Sequence, residues 1–233
     1  MNSAIALLSG GLDSAVSVAT AARELRVVSA LTFDYGQRAA KREIEAASSL
    51  ASELGIPHRV IELPWLGGAT ATALVNTGAE VPRILPEELC RGGDERAAAV
   101  WVPNRNGLFV AIAAAIAEGL GAGRIVAGFN AEEAESFPDN SEGFVEAANL
   151  SLSFSTRNRV SLSCPVIYMS KSEIAAEALK LGLSTSSFWS CYLGGERMCG
   201  ECESCARTIR AFEGTGAWAA LKERFESCAG RPA

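Results

Sequence analysis

The chain has 233 residues, with 21 Lys and Arg against 27 Asp and Glu, a formal net charge of -6 at pH 7 and 48% hydrophobic residues. That balance excludes a disordered or fibrous chain, and at this length one α/β domain with a small appendage fits better than two equal domains. An acid excess also argues against a protein that grips nucleic acid through its whole surface field. The single histidine, His58, excludes a mechanism or metal site that needs two within one chain.

Ser3 to Leu8 is a short apolar run stopped by Gly10-Gly11, the pattern of a parallel strand buried on both faces. Ser14 to Leu25 reads as a helix with Ser14 near its N-cap, Val27 to Phe33 as a strand, and Ala39 to Leu54 as a helix stopped by Gly55. His58, most simply a structural residue after Pro57, opens a strand to Leu63. A β-α-β-α-β run of this kind needs a parallel sheet with right-handed crossovers. Pro64 to Trp101 then breaks the rhythm with Gly67-Gly68, Gly78, Pro82, Pro86 and Gly92-Gly93, the composition of a functional lid or a mobile loop.

The alternation resumes with a helix over Asn106 to Leu120, a strand over Arg124 to Phe129, a helix near Glu142 to Leu152 and a strand over Val160 to Val166. A helix over Lys171 to Leu181 follows, with Ser170 as its cap. Beyond Gly182 the composition shifts to Ser, Gly and Cys, which divides the chain into a main domain over 1–182 and a C-terminal region over 183–233. The apolar start lacks a basic segment, and the Ala-rich run from Gly107 to Ala117 is 11 residues long. Neither a secretory signal nor a membrane span is predicted, and the expected compartment is the cytoplasm.

Ser9-Gly10-Gly11-Leu12-Asp13-Ser14 lies between the first strand and the first helix. Adjacent glycines allow close backbone approach, and a helix N-terminus offers free N–H groups and a positive dipole end to an anion. Ser9 and Ser14 add hydroxyls, and Asp13 has the chemistry to orient Mg²⁺. The loop is a phosphate cradle without the Gly-Lys-Ser/Thr ending of a Walker A motif.

Seven cysteines are present, and Cys191, Cys199, Cys202 and Cys205 crowd together, the last three as Cys-x-x-Cys-x-x-Cys. An odd total clustered in this way reads as metal binding in a reducing compartment rather than as a disulfide framework. Four thiolates match the closed tetrahedral set of structural zinc, while an iron–sulfur cluster is the competing occupant of such spacing. Cys90, Cys164 and Cys228 lie outside the group and are expected to be packed thiols.

The Ser-Gly-Gly-x-Asp-Ser loop resembles the pyrophosphate loop of the N-type ATP pyrophosphatases, which split ATP between its α and β phosphates to adenylate an oxygen. Four further stretches narrow the resemblance: Phe33-Asp34-Tyr35-Gly36-Gln37-Arg38, Val102-Pro103-Asn104-Arg105-Asn106, Gly128-Phe129-Asn130 with Phe137-Pro138-Asp139, and the cysteine group. In this order they are similar to the 7-cyano-7-deazaguanine synthase family, over residues 3 to about 212. Departures from that family's pattern are Asn104 in a glycine place, Glu133 in an aspartate place, and Phe137-Pro138-Asp139-Asn140-Ser141 where Tyr-Pro-Asp-Cys-Arg is common.

The resemblance implies an α/β fold with a doubly wound, mostly parallel five-stranded sheet and a small zinc-binding C-terminal region. It implies ATP, Mg²⁺ and one structural Zn²⁺, with ATP held around Leu8, Ser9, Gly10, Gly11, Leu12, Asp13, Ser14 and Ala15, and with Asp13, Ser14 and Lys171 serving the chemistry. Substrate contacts are expected at Tyr35, Gln37, Arg105, Asn130, Glu133, Phe137 and Asp139, and zinc at Cys191, Cys199, Cys202 and Cys205. The implied reaction converts 7-carboxy-7-deazaguanine and ammonia into a nitrile, in a homodimer that binds neither membrane nor nucleic acid directly. A tRNA-modifying enzyme and a zinc-stabilised nucleotide sensor are the rival readings of the same loop.

Overall fold

The computed structural model describes residues 2–89 and 93–227, so Cys90 and Cys228 lie outside the described residues. Five strands form one parallel sheet in the order β3-β2-β1-β4-β5: β1 (Ser3–Leu7), β2 (Arg26–Asp34), β3 (His58–Glu62), β4 (Arg124–Val126) and β5 (Ser161–Ser163). The order reverses on either side of β1, and open α/β sheets bind ligands at the carboxyl ends of the strands flanking such a reversal.

Helices cover both faces. Ile5, Leu7, Leu31, Phe33 and Ile125 pack toward α5 (Arg105–Gly119) and α7 (Glu142–Ser155), through Val110, Ala113, Ala114 and Leu152. Ala6, Leu8 and Ala30 face the other way, onto Ala15 and Val18 of α1 (Leu12–Ala21) and Ala47 and Leu50 of α2 (Ala40–Glu53). Alternation on β1 thus supplies both layers, because successive side chains point to opposite faces. His58 sits at the start of β3 with Nε2 at 2.7 Å from the Thr32 hydroxyl, in the structural place expected for it.

Two expectations are corrected. Ser14 does not cap α1: the helix begins at Leu12 with Gly11 as its cap residue, and the Ser14 hydroxyl donates back to the Gly11 carbonyl at 3.0 Å. The 64–101 stretch is not one long loop, since it contains α3 (Pro64–Gly68), a 3₁₀ turn over Pro86–Glu88 and α4 (Gly93–Val100). It is tied to the rest of the chain by Ile84 N–H donating to the Glu201 carbonyl at 2.7 Å and by a bridge between Arg83 and Cys202.

After β4 come the short α6 (Ala131–Ala134) and a 3₁₀ turn over Pro138–Asn140, and after β5 comes α8 (Lys171–Lys180). Ser170 caps α8 as expected, in a reciprocal capping box with Glu173. The cysteine-bearing tail folds into α9 (Glu203–Phe212) and α10 (Trp218–Lys222). Phe188, Met198, Phe212, Trp218 and Phe225 share one buried cluster with Leu12 and Val16 of α1 and Ile174 of α8. No helix among the described residues is long and apolar enough to cross a membrane.

Candidate active site and cysteine cluster

A cleft of about 220 Å³ opens at the carboxyl ends of β1 and β4. Leu8, Ser9, Gly11, Leu12, Asp13 and Ser14 form one wall. Gly10 adopts φ +81°, and a side chain there would collide with the Glu43 carbonyl. Only glycine enters that conformation at no steric cost. Gly128, just after β4, meets the same loop from below: a Cβ would sit 2.5 Å from Ser14 N and 2.7 Å from Asp13 C. Ala15, in the first turn of α1, is fully buried against Ala6 and Leu8 and does not line the cleft.

Opposite the loop, Lys171 is 3% exposed, and Nζ donates to Asp13 Oδ2 at 2.6 Å and to Glu133 Oε1 at 2.9 Å. Burial pushes the Asp13 carboxyl up to about 6, against the pull of Lys171 and with the repulsion of Glu133. Burial also opposes ionisation of Glu133, but Lys171 together with Arg207 and Arg105 outweighs it and holds that carboxyl below its ordinary range. One buried ammonium therefore serves two partly buried carboxylates. Asp13 Oδ1 is buried with no hydrogen-bond partner, and an unpartnered anionic oxygen beside a phosphate-type loop suits a hard divalent cation such as Mg²⁺.

The remaining predicted contacts divide. Tyr35 and Arg105 line the cleft, with Arg105 Nη1 donating to the Tyr35 hydroxyl at 3.0 Å. Leu7, Leu31, Phe33, Phe109 and Ala127 give the cleft an apolar floor, in which Phe33 and Phe109 stack with centroids 4.0 Å apart. Gln37 also borders the cleft, but its amide is committed to the backbone of Tyr35 and Phe33 and to Glu43. Asn130, Phe137 and Asp139 do not line it. Asn130 is fully buried and caps α6 by accepting from Glu133 N–H, Phe137 stacks on Trp101, and the Asp139 carboxylate accepts from Asn106 N–H. These three hold the walls. Asn104, standing where the resembled family has glycine, adopts φ +54°, a left-handed conformation that asparagine tolerates best after glycine.

The sequence reading missed an ion-pair chain behind Lys171. Glu132 accepts from the Lys171 backbone N–H at 3.1 Å and pairs with Arg207 at 2.7 Å and with Arg210; Arg207 pairs in turn with Glu203, and Glu203 with Arg96. Its directly paired members are up to 107 residues apart, so local spacing carries no trace of it.

The Sγ atoms of Cys191, Cys199, Cys202 and Cys205 all lie within 4.8 Å of one another, and those of Cys199 and Cys205 are 3.9 Å apart. A tetrahedron with metal–sulfur bonds of about 2.3 Å has edges of about 3.8 Å, so the four thiols fit one Zn²⁺. Backbone N–H groups of Leu193 and Cys199 point at the Cys191 sulfur, and those of Glu201 and Cys202 at the Cys199 sulfur, an arrangement that favours thiolates. Gly200 makes the bend between Cys199 and Cys202 at φ +78°. The cluster also touches the cleft. Cys191 and Tyr192 line it, and Trp189 N–H donates to the Gly10 carbonyl at 2.8 Å. Cys164 is buried, and burial lifts its thiol to about 12, which marks a packed thiol.

Residues 3–216 match the family described as "Queuosine biosynthesis protein QueC". The 7-cyano-7-deazaguanine synthase of Pelotomaculum thermopropionicum is 52% identical over 214 residues, covering 91% of this chain and 97% of the relative. The synthase of the same name from Methanosarcina mazei is 46% identical over 227 residues, covering 95% and 98%. That of Desulforamulus reducens is 51% identical over 218 residues, covering 93% and 95%. A glycine-bent phosphate-type loop, a group of four thiols whose segment is hydrogen-bonded to it through Trp189, and sequence identity across nearly the whole length lead to one conclusion: the chain is an enzyme of the QueC family of queuosine biosynthesis proteins.

Proposed function

We propose that this chain is an ATP-dependent 7-cyano-7-deazaguanine synthase, a ligase that forms a carbon–nitrogen bond between 7-carboxy-7-deazaguanine and ammonia. The observation that carries this reading is the single cleft joining the phosphate-type loop and the Lys171–Asp13–Glu133 cluster to an apolar, aromatic floor with Arg105 and Tyr35 at its side. The first part suits a triphosphate, the second a planar ring carrying a carboxylate.

A carboxylate oxygen attacks the α-phosphorus of ATP, pyrophosphate leaves, and the acyl-adenylate results. Ammonia displaces AMP to give the amide. Activation of the amide oxygen by a second ATP and loss of that oxygen with AMP give the nitrile. No protein nucleophile is needed, only positioning and stabilisation of charge. The loop from Ser9 to Ser14 binds the phosphates through backbone N–H groups and the Ser9 and Ser14 hydroxyls, which stand 3.0 Å apart. Lys171, fixed by two carboxylates, neutralises charge developing on the departing phosphates. Mg²⁺ held by Asp13 would supply further neutralisation of the triphosphate.

Zn²⁺ on the four cysteines would supply folding energy for the tail, whose loop supports Gly10. The chain is read as acting in the cytoplasm, as a homodimer, on small molecules and without direct nucleic-acid binding. Nucleotide products decide the reading. Turnover of ATP to AMP and pyrophosphate that requires 7-carboxy-7-deazaguanine, and is sustained only with ammonium, supports it. ADP and phosphate, or release stimulated by tRNA instead of the deazaguanine acid, overturn it.

A further inference from the structure

Glu43 has no part in the chemistry described so far, yet it lines the cleft from α2, with its backbone carbonyl packed against Gly10 of the phosphate-type loop. Its carboxylate is held in place on one side only. Oε2 accepts from Gln37 Nε2 at 2.8 Å, and Gln37 is itself fixed by accepting from Tyr35 N–H at 2.9 Å and donating to the Phe33 carbonyl at 3.0 Å. No hydrogen bond among the described residues engages Oε1. The other carboxylates that line the cleft, Asp13 and Glu133, are both ion-paired with Lys171, and behind them Glu132 pairs with Arg207 and Arg210. Among the acidic side chains that line the cleft, Glu43 is the one without a cationic partner among the described residues.

The reaction proposed above needs ammonia, and near neutral pH ammonia is almost wholly ammonium, which has no lone pair with which to attack. A carboxylate is an acceptor-only group that holds such a cation through charge-assisted hydrogen bonds. We propose that Glu43 is the ammonium site of this enzyme, binding the cation through Oε1 and taking one proton from it beside the phosphate-type loop. The inference rests on the synthase reading. The proton moves from nitrogen to Oε1, and the freed lone pair forms the C–N bond at the acyl carbon. The C–O bond to AMP then breaks, with its electron pair leaving on AMP. The nitrogen loses a further proton to water, and Glu43 returns its own proton to water.

Burial raises the Glu43 carboxyl above its ordinary value, with Gln37 and Arg105 opposing and Asp34 reinforcing, and a base lifted in this way accepts a proton more readily. Tyr35 and Arg105, the remaining titratable groups facing it, pair with each other.

Two measurements test the proposal. In the unmodified enzyme, KM expressed as total ammonium stays constant over one pH unit above neutrality, because the cation is what binds. A KM that instead falls about tenfold over that unit, tracking free ammonia, overturns it. In Glu43→Gln, the ammonium-dependent rate falls on the order of 100-fold, while hydroxamate formation from hydroxylamine, which is largely uncharged at neutral pH, falls less than about tenfold. Equal losses with both nucleophiles indicate a structural role and overturn it. Absence of amide, nitrile and hydroxamate alike in the unmodified enzyme defeats the synthase reading itself, a result distinct from either of these.

Discussion

In a Lys171→Met variant the side chain keeps its length and loses its charge, leaving Asp13 and Glu133 without the ammonium that separates them. The wild-type Nζ sits 2.6 and 2.9 Å from the two carboxylates, and its side chain is 4% exposed. Removing one partner from a buried ion pair costs about 3–5 kcal/mol, because the remaining charge is buried without compensation. For a chain of this size that lowers Tm by on the order of 10 °C. The sign with pH follows from the carboxyls. Without Lys171 both are held higher than in the wild type, so the folded variant binds more protons near neutrality, and its deficit grows as pH rises and shrinks on acidification. Thermal unfolding followed by circular dichroism at several pH values measures this. A deficit under about 1 kcal/mol, or one that does not change with pH, refutes the assignment of Lys171 as the charge that holds this site together.

Other perturbations read different parts of the site. Asp13, with its carboxyl lifted to about 6, must be ionised to hold a cation, so pyrophosphate release falls as pH drops through that value; a rate flat across it contradicts the role given to Asp13. Gly128→Ala places a methyl group 2.5 Å from Ser14 N, and KM for ATP rises at least about tenfold, with a stability loss of about 1–3 kcal/mol; wild-type ATP kinetics would show that the loop has room to move. Cys202→Ser loses the bound metal and the order of the tail, and because Trp189 is hydrogen-bonded to Gly10, ATP binding weakens with it; metal analysis and titration calorimetry on the same preparation check both.

Much of the fold was legible because a parallel strand covered on both faces must be apolar along its length, as Ala4 to Leu8 is. β5 is shorter than its apolar signal, Ser161–Ser163 rather than Val160 to Val166, because Pro165 cannot donate to a sheet ladder. The start of α1 was misplaced because Ser14 has a capping residue's chemistry, whereas the turn is made by Gly10 and Gly11 through backbone alone. The phosphate-type loop and the cysteine group were visible because each is set mostly by close spacing in sequence. Asn130, Phe137 and Asp139 were expected as substrate contacts because the resemblance to the synthase family placed their motifs beside the substrate. In the fold their groups are turned into the walls, and nothing local distinguishes the two fates. Glu43 and the Glu132–Arg207–Glu203 chain had no sequence signal at all, since their significance depends on which elements the sheet order brings together.

The most direct test of the account is mass analysis of the product formed by the purified chain from 7-carboxy-7-deazaguanine, ATP, Mg²⁺ and ¹⁵N-ammonium. The account predicts a deazaguanine nitrile carrying the label, with AMP formed in step with it and none made when the acid is omitted. AMP formation with no labelled nitrile or amide, or labelled product formed without ATP, would contradict it.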